Sequence, residues 1–357
     1  MRTLCGFNGT AQHETPFGLT LSPRPASSAR VRTILAFLIL AAASLLAPRI
    51  EAAPRTIETI KVDGVTYLRA RAWADVNGLQ PAWVVRDKTL QLARPATKIH
   101  LTVNSVRITF NGLLVVLSRP VVYQNGAVYV SKLDVETVLN PLLSPPRLPK
   151  GKKVKTICLD AGHGGLDPGY IVNSKQEKKY TLLFAQEVRD LLTKQGFKVV
   201  MTRTRDTYID LPDRAAYANR MGADLFVSLH FNAFPRDKDV NGAETYCVTP
   251  AGASSSNARG VGAGTGASRG NANNAENVCL AYQLQKALVR SAGSDDRGVK
   301  RARFQVLCEA AMPAVLIETG FMSNANEGKR IFDVRSRKTL VKAVVDGIVA
   351  YKKSAER

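Results

Sequence analysis

His163 stands between glycines at the end of an apolar run, Ile157-Cys158-Leu159-Asp160-Ala161-Gly162-His163-Gly164-Gly165. Glycines permit a sharp turn and close backbone approach, so the run reads as a strand that presents an imidazole at its C-terminal rim. Open α/β sheets bind ligands at that rim. An imidazole there is a metal ligand, a base or a turn residue. A second apolar run, Leu225-Phe226-Val227-Ser228-Leu229-His230, also ends in histidine, with Asn232 just beyond it. A continuous apolar run of this length suits a strand buried on both faces. Four histidines occur in the whole chain, and the other two, His13 and His100, fall in a leader and in an alternating strand.

Two histidines at strand ends need a carboxylate to complete a catalytic zinc set with one open position. Such a set acidifies water toward a pKa of ~7 and polarises a carbonyl. A second carboxylate must then move protons. Glu318 ends the apolar run at 313–317 and precedes Gly320, a position suited to that task. Glu244 and Glu309 compete for it, but the first comes early in its strand and the second in a connection. Glu177 opens a helix expected over 177–195, three residues before Tyr180. It therefore shares the apolar stripe of Tyr180, Phe184, Val188, Leu191 and Leu192. A surface carboxylate favoured by the helix N-terminus is the alternative account of Glu177, and Lys175, Lys178 and Lys179 surround it.

The elements that must position these groups divide the chain. Residues 1–53 read as a signal peptide or N-terminal anchor: arginines, an apolar core over 34–47, then small residues. The stretch before Arg30 is loop-like, and we expect translation to start near Val31, which N-terminal sequencing of the precursor would test. Residues 54–143 carry an internal echo. Val62-Asp63-Gly64-Val65-Thr66-Tyr67-Leu68 parallels Gln124-Asn125-Gly126-Ala127-Val128-Tyr129-Val130, each with a hairpin turn signal and each followed by a short helix. Strands are expected at 89–92, 99–103 and 106–110, giving a small α+β unit without a catalytic constellation. Trp73, Trp83, Tyr67 and Tyr129 are read as core before they are read as a binding face.

Residues 144–153 form a basic, proline-rich linker. The second unit, 154–357, alternates strands and helices, with strands also at 197–201, 242–248, 304–308 and 313–317. Helices are expected at 211–221, 278–291 and 338–352, and a basic turn at 297–300. A Gly/Ala/Ser/Asn-rich stretch over 251–277 reads as a flexible insertion. Cys158, Cys247, Cys279 and Cys308 form no close pair and read as buried small hydrophobes. The fold class is therefore α/β: a three-layer catalytic domain with a mostly parallel, partly mixed sheet, preceded by a small α+β accessory domain. The net charge of +21 favours an anionic partner, either an acidic wall polymer or a membrane surface. Nucleic acid is disfavoured by the export signal and the absence of a binding motif.

Seven pieces in order resemble the zinc-dependent N-acetylmuramoyl-L-alanine amidases (the amidase-3 family). They are 159–165; Glu177; Thr202-Arg203 with Asp206; Arg214 with Ala218-Asn219; 228–233; 297–300; and 313–324. The resemblance implies His163, Glu177 and His230 as zinc ligands and Glu318 as general base and acid. It implies Arg297 and Asn232 as substrate contacts. It further implies hydrolysis of the amide between N-acetylmuramic acid and L-alanine in peptidoglycan. The leader adds the expectation of an exported protein of the periplasm or cell envelope, and a monomer is expected. Phe231 departs from the small residue often found there. The 251–277 insertion has no apolar stripe and does not resemble a self-inhibiting helix, so constitutive activity or gating by that loop is expected. The first unit resembles the copper amine oxidase N-terminal-like (stalk) domain, which implies an accessory module without copper. A zinc peptidase acting on the stem peptide and a non-catalytic wall-binding protein are the competing readings.

Overall fold

The computed structural model describes residues 57–253, 255 and 266–357. The leader and the centre of the 251–277 insertion lie outside these residues. Among the described residues no helix is long and apolar enough to cross a membrane.

The two echoed turns build two hairpins, β1 (Thr59–Val62) with β2 (Val65–Arg69), and β8 (Val122–Gln124) with β9 (Ala127–Ser131). Asp63 and Asn125 take φ of 49° and 51°, and the following glycines 76° and 74°, the left-handed pair that a tight two-residue hairpin demands. The hairpins join through β2 and β9 into a four-stranded sheet. Tyr67, Ala127 and Tyr129 are buried together on it. Trp73 is buried and donates from Nε1 to Asn140 Oδ1 at 2.8 Å, whereas Trp83 is partly exposed and meets Tyr123 edge-on.

Between the hairpins runs an antiparallel meander of five strands: β3 (Gln80–Val85), β4 (Thr89–Arg94), β5 (Thr97–Thr102), β6 (Arg107–Phe110) and β7 (Leu113–Val116). It does not stop at the accessory unit. β7 pairs in parallel with β16 (Asp296–Ala302), so the meander continues the sheet of the second unit into eleven strands. Residues 144–153 carry no helix or strand between the two.

The second unit's part of the sheet runs β13 (Lys198–Met201), β10 (Thr156–Ala161), β14 (Leu225–Asn232), β17 (Ala314–Phe321), β15 (Ala243–Val248), β16. All of these pairs are parallel except β15–β17. Side-chain alternation sends Ile157, Leu159, Val227 and Leu229 to one face and Cys158, Phe226 and Leu316 to the other. The first face carries three long helices: α2 (Glu177–Lys194), whose residues Phe184 and Val188 enter that core, α4 (Asn274–Ser291) and α6 (Val334–Ala355). The second carries α3 (Leu211–Arg220) and the single helical turn Gln305–Cys308. The mixed sheet with helices on both faces is the α/β class expected.

Two local expectations fail. The stretch 297–300 lies within β16, where Arg297 and Lys300 both pair with the buried Glu244 carboxylate. The stretch 304–308 is a helical turn, since a short apolar run fits either period. Cys158, Cys247 and Cys279 are buried free thiols and Cys308 is half-buried. Burial pushes the Cys279 thiol up to about 12.

Candidate active site

The strand–turn at 161–164 places His163 at φ 62°, a left-handed conformation that histidine tolerates better than most residues. Asp167 Oδ2 faces His163 Nδ1 at 2.8 Å, which fixes the ring and leaves Nε2 as the free lone pair. Asp167 is itself held by Gly169 N–H at 3.0 Å. Nε2 points to Glu177 Oε1 at 3.1 Å, and His230 Nδ1 approaches the same oxygen at 3.2 Å. The two imidazoles stand edge to face with centroids 4.9 Å apart.

Glu177 opens α2 from the buried side of the helix. Its Oε2 accepts Tyr170 N–H at 3.0 Å and its Oε1 accepts Phe231 N–H at 3.2 Å. Burial alone would raise this carboxyl, but His163 and His230 outweigh it and hold it well below the usual carboxylate range. The His163 ring responds in the opposite sense: burial disfavours its charged form, yet Glu177 and Asp167 raise its pKa.

Glycines make room for this convergence. A Cβ on Gly162 would lie 2.2 Å from His230 Cε1, and one on Gly169 would lie 2.7 Å from Glu177 Oε2.

Glu318 enters from the neighbouring strand. It is the register partner of His230 on β14 and of Glu244 on β15. Its Oε2 is sealed from solvent and has no hydrogen-bond partner among the described residues. Burial, then the Glu177 and Glu244 charges, raise its carboxyl well above the usual range, with Lys300 opposing. Glu244 is otherwise engaged: Arg297 Nε at 2.6 Å, Lys300 Nζ at 2.8 Å, Tyr246 OH at 2.5 Å and Asn232 Nδ2 at 3.3 Å surround it. These contacts remove it as a competitor for the proton-transfer role. Burial, then these partners, set its pKa: they hold it below the usual range despite burial.

A cavity of about 400 Å³ opens over these groups. His163, Glu177, His230, Glu318 and Asn232 line it, with Tyr208, Leu211, Phe304 and Val306 as an apolar wall. Arg297 is not among the lining residues; it is paired to Glu244 and stands over the Phe321 ring at 5.1 Å. The Phe231 ring packs against Phe184 in the core. Asp167, Tyr208 and Phe304 had no role assigned from sequence. Asp167 could have been found as the first carboxylate after His163, four residues on; the wall residues carry no sequence mark.

One nitrogen from each of His163 and His230 and one oxygen of Glu177 lie within 4.8 Å of one another, a donor set suited to a metal ion. The fit is supported by the partnerless Glu318 Oε2 beside it and by the Asp167 hydrogen bond that turns His163 Nε2 toward the other donors. Two imidazoles and one carboxylate match zinc in a catalytic, open-coordination setting.

The description "N-acetylmuramoyl-L-alanine amidase" belongs to the family model that matches residues 157–350, and "copper amine oxidase N-terminal domain" to the one that matches residues 51–141. N-acetylmuramoyl-L-alanine amidase LytC of Bacillus subtilis (strain 168) is 34% identical over 197 residues, 55% of this chain and 35% of LytC. The chain thus spans about a third of that relative's length. N-acetylmuramoyl-L-alanine amidase AmiA of Salmonella typhimurium (strain LT2) is 31% identical over 238 residues, 58% of this chain and 80% of AmiA. A crystal structure of N-acetylmuramoyl-L-alanine amidase from Clostridium difficile 630 has 32% identity and a TM-score of 0.47, covering 57% of this chain and 99% of that one.

Proposed function

The chain belongs to the N-acetylmuramoyl-L-alanine amidase family, and we propose that it hydrolyses the amide between N-acetylmuramic acid and L-alanine in peptidoglycan with zinc held by His163, Glu177 and His230. The observation that carries this reading is the convergence of those three donors beside Glu318, whose Oε2 is sealed and partnerless, in one cavity.

When bound, zinc supplies a Lewis acid that acidifies water and polarises the scissile carbonyl. Asp167 keeps His163 in the tautomer that offers Nε2, and the backbone N–H groups of Tyr170 and Phe231 keep Glu177 oriented. Glu318 takes a proton from the attacking water and returns it to the leaving alanine nitrogen. Its raised pKa suits both halves of that exchange, since it accepts a proton readily and holds it until nitrogen departs. The apolar wall of Tyr208, Leu211, Phe304 and Val306 faces the substrate and limits water in the cavity.

Export to the periplasm or cell envelope follows from a substrate that lies outside the cytoplasm, and the leader over 1–53 is its means. The basic charge suits an anionic wall polymer or membrane surface, and the protein acts as a monomer without nucleic acid. The test is digestion of purified peptidoglycan by the full chain, with and without a chelator, followed by mass analysis. Free stem peptides beginning at L-alanine, lost on chelation and restored by zinc, are expected. Cuts inside the stem peptide would replace the reading with a zinc peptidase, and no product with intact zinc binding would replace it with a wall-binding protein.

A further inference from the structure

Behind the three donors lies a second, fully buried layer of charge. Arg203 and Arg214 are each 2% exposed, and Asp160 is sealed entirely. Arg203 donates from Nε to Ala161 O at 2.9 Å and from Nη2 to Gly162 O at 2.8 Å, the two carbonyls just before His163. The same Nη2 reaches Lys178 O at 2.7 Å and Thr181 Oγ1 at 3.1 Å, in the first turn of the helix that Glu177 opens. Arg214 donates from Nη2 to His163 O at 2.9 Å and from Nη1 to Ala161 O at 3.0 Å and Asp160 Oδ1 at 2.9 Å. Asp160 also accepts Thr202 Oγ1 at 2.6 Å and Ser228 Oγ at 2.7 Å. Ser228 precedes His230 by two residues, so both side chains leave the same face of β14.

The network therefore touches the element behind every donor: the turn of His163, the helix start of Glu177 and the strand of His230. A left-handed histidine costs backbone energy and persists only where its surroundings over-determine it. Here three successive carbonyls, 161 to 163, are each claimed by a guanidinium. Burying two cations on one carboxylate is expensive, and a fold that needed only packing would do better with apolar side chains. A planar fork of fixed donors can hold several carbonyls at set angles, which an ammonium cannot.

We infer that Arg203, and Arg214 anchored on Asp160, are positioning residues that set the geometry, and hence the affinity, of the His163–Glu177–His230 metal site. The inference rests on the zinc reading above. It places the demand for arginine in the carbonyl geometry of the metal-site turn rather than in general stability.

Arg337 provides the control. It is equally buried, pairs with Glu187 through Nη2 at 2.6 Å, ten residues along the helix from Glu177, and donates to Ile331 O at 2.8 Å; it makes no hydrogen bond to the His163 turn or to the first turn of that helix. Apparent zinc affinity of the full chain is measured by competition with a chromophoric chelator, alongside thermal unfolding of the zinc-free forms. Arg203→Lys and Arg214→Lys should each weaken zinc about 10- to 100-fold, the loss typical when the support of a metal ligand is removed. Turnover should recover at excess zinc. Arg337→Lys should lower the unfolding temperature while leaving zinc affinity within about twofold of the parent. Should a guanidinium variant fail to fold, Ser228→Ala, which removes one hydroxyl from Asp160, should still weaken zinc severalfold. Parental zinc affinity in the folded arginine variants, or in Ser228→Ala if they do not fold, overturns the inference. So does an equal loss of affinity in Arg337→Lys. A parent that binds no zinc defeats the zinc reading itself, and is read from the parent alone.

Discussion

Glu318 sits directly across the parallel pairing from His230, with one residue of β17 matched to one of β14. Both strands point their alternate side chains to the same face, so the register that pairs the strands also brings carboxylate and imidazole to one rim. No loop is needed to bring them together.

Because Glu318 stands outside the three-donor set, its chemistry and metal binding should separate. Glu318→Gln keeps the shape and loses the exchangeable proton. We expect turnover to fall by about 10²- to 10⁴-fold, the usual worth of a positioned acid–base group, with one zinc per chain retained. Metal analysis and rate measurement on the same sample check it; turnover near the parent's would remove Glu318 from this role.

Much of that arrangement was legible in the sequence. The apolar runs that lead to His163 and His230 read as strands with an imidazole at the rim, and Glu177 fell on the buried stripe of its helix. The Asp63-Gly64 and Asn125-Gly126 turns announced both hairpins, and the structure places them at the left-handed angles expected. Less legible was β16. Its Arg297, Lys300 and Arg301 suggest solvent, yet Glu244 and the Thr137 carbonyl receive them inside. The strands β3 and β7 were missed as well, for β7 is a four-residue apolar run against a turn. The grip of Arg203 and Arg214 on backbone carbonyls is invisible in principle, since a carbonyl acceptor carries no residue type.

Gly162 is fixed by space rather than by backbone angle. An added Cβ would press on the His230 ring at 2.2 to 2.7 Å. Gly162→Ala should therefore displace a metal donor while leaving the strand intact. Zinc affinity should drop at least about tenfold, in line with disturbed metal-ligand support, with little change in secondary structure. Circular dichroism and chelator competition test it; parental affinity would mean that the ring moves freely.

Asp160 links the site to acid stability. Burial disfavours its charge, but Arg214, Thr202 and Ser228 prevail and hold its pKa below the usual 3.8. A carboxyl depressed in the folded state contributes stability that is present above its unfolded pKa and lost as pH falls through the folded one. Asp160→Asn strands the Arg214 charge and should cost about 3 kcal/mol at pH 7, in the range for breaking one side of a buried pair. The difference between parent and variant should shrink as pH falls below ~4. Denaturant titrations across pH 7 to 2.5 would show it. A difference that stays constant with pH would mean that Asp160 is not depressed in the fold.

The continuation of the meander into the catalytic sheet argues that the two units unfold together. Val115 of β7 pairs with Val299 of β16, Leu114 N–H donates to Asp296 Oδ2 at 2.7 Å, and Tyr282 OH donates to Phe110 O at 3.1 Å against the Phe110 ring. Gly298 lets β16 come this close: a Cβ there would stand 2.8 Å from Leu114 Cγ and 3.0 Å from Leu114 O. A chain beginning at residue 154 would leave β16 as an open edge beside uncovered apolar surface, a template for aggregation. A chain of residues 57–357 should melt in one transition. The shortened chain should melt lower by more than about 5 °C, the shift that ~2 kcal/mol produces in a domain of this size, or precipitate. Gly298→Val in the full chain should move the melt in the same direction by wedging β7 from β16. Two separate transitions, with the shortened chain melting as it does within the whole, would show instead that the shared sheet lends the catalytic unit no stability.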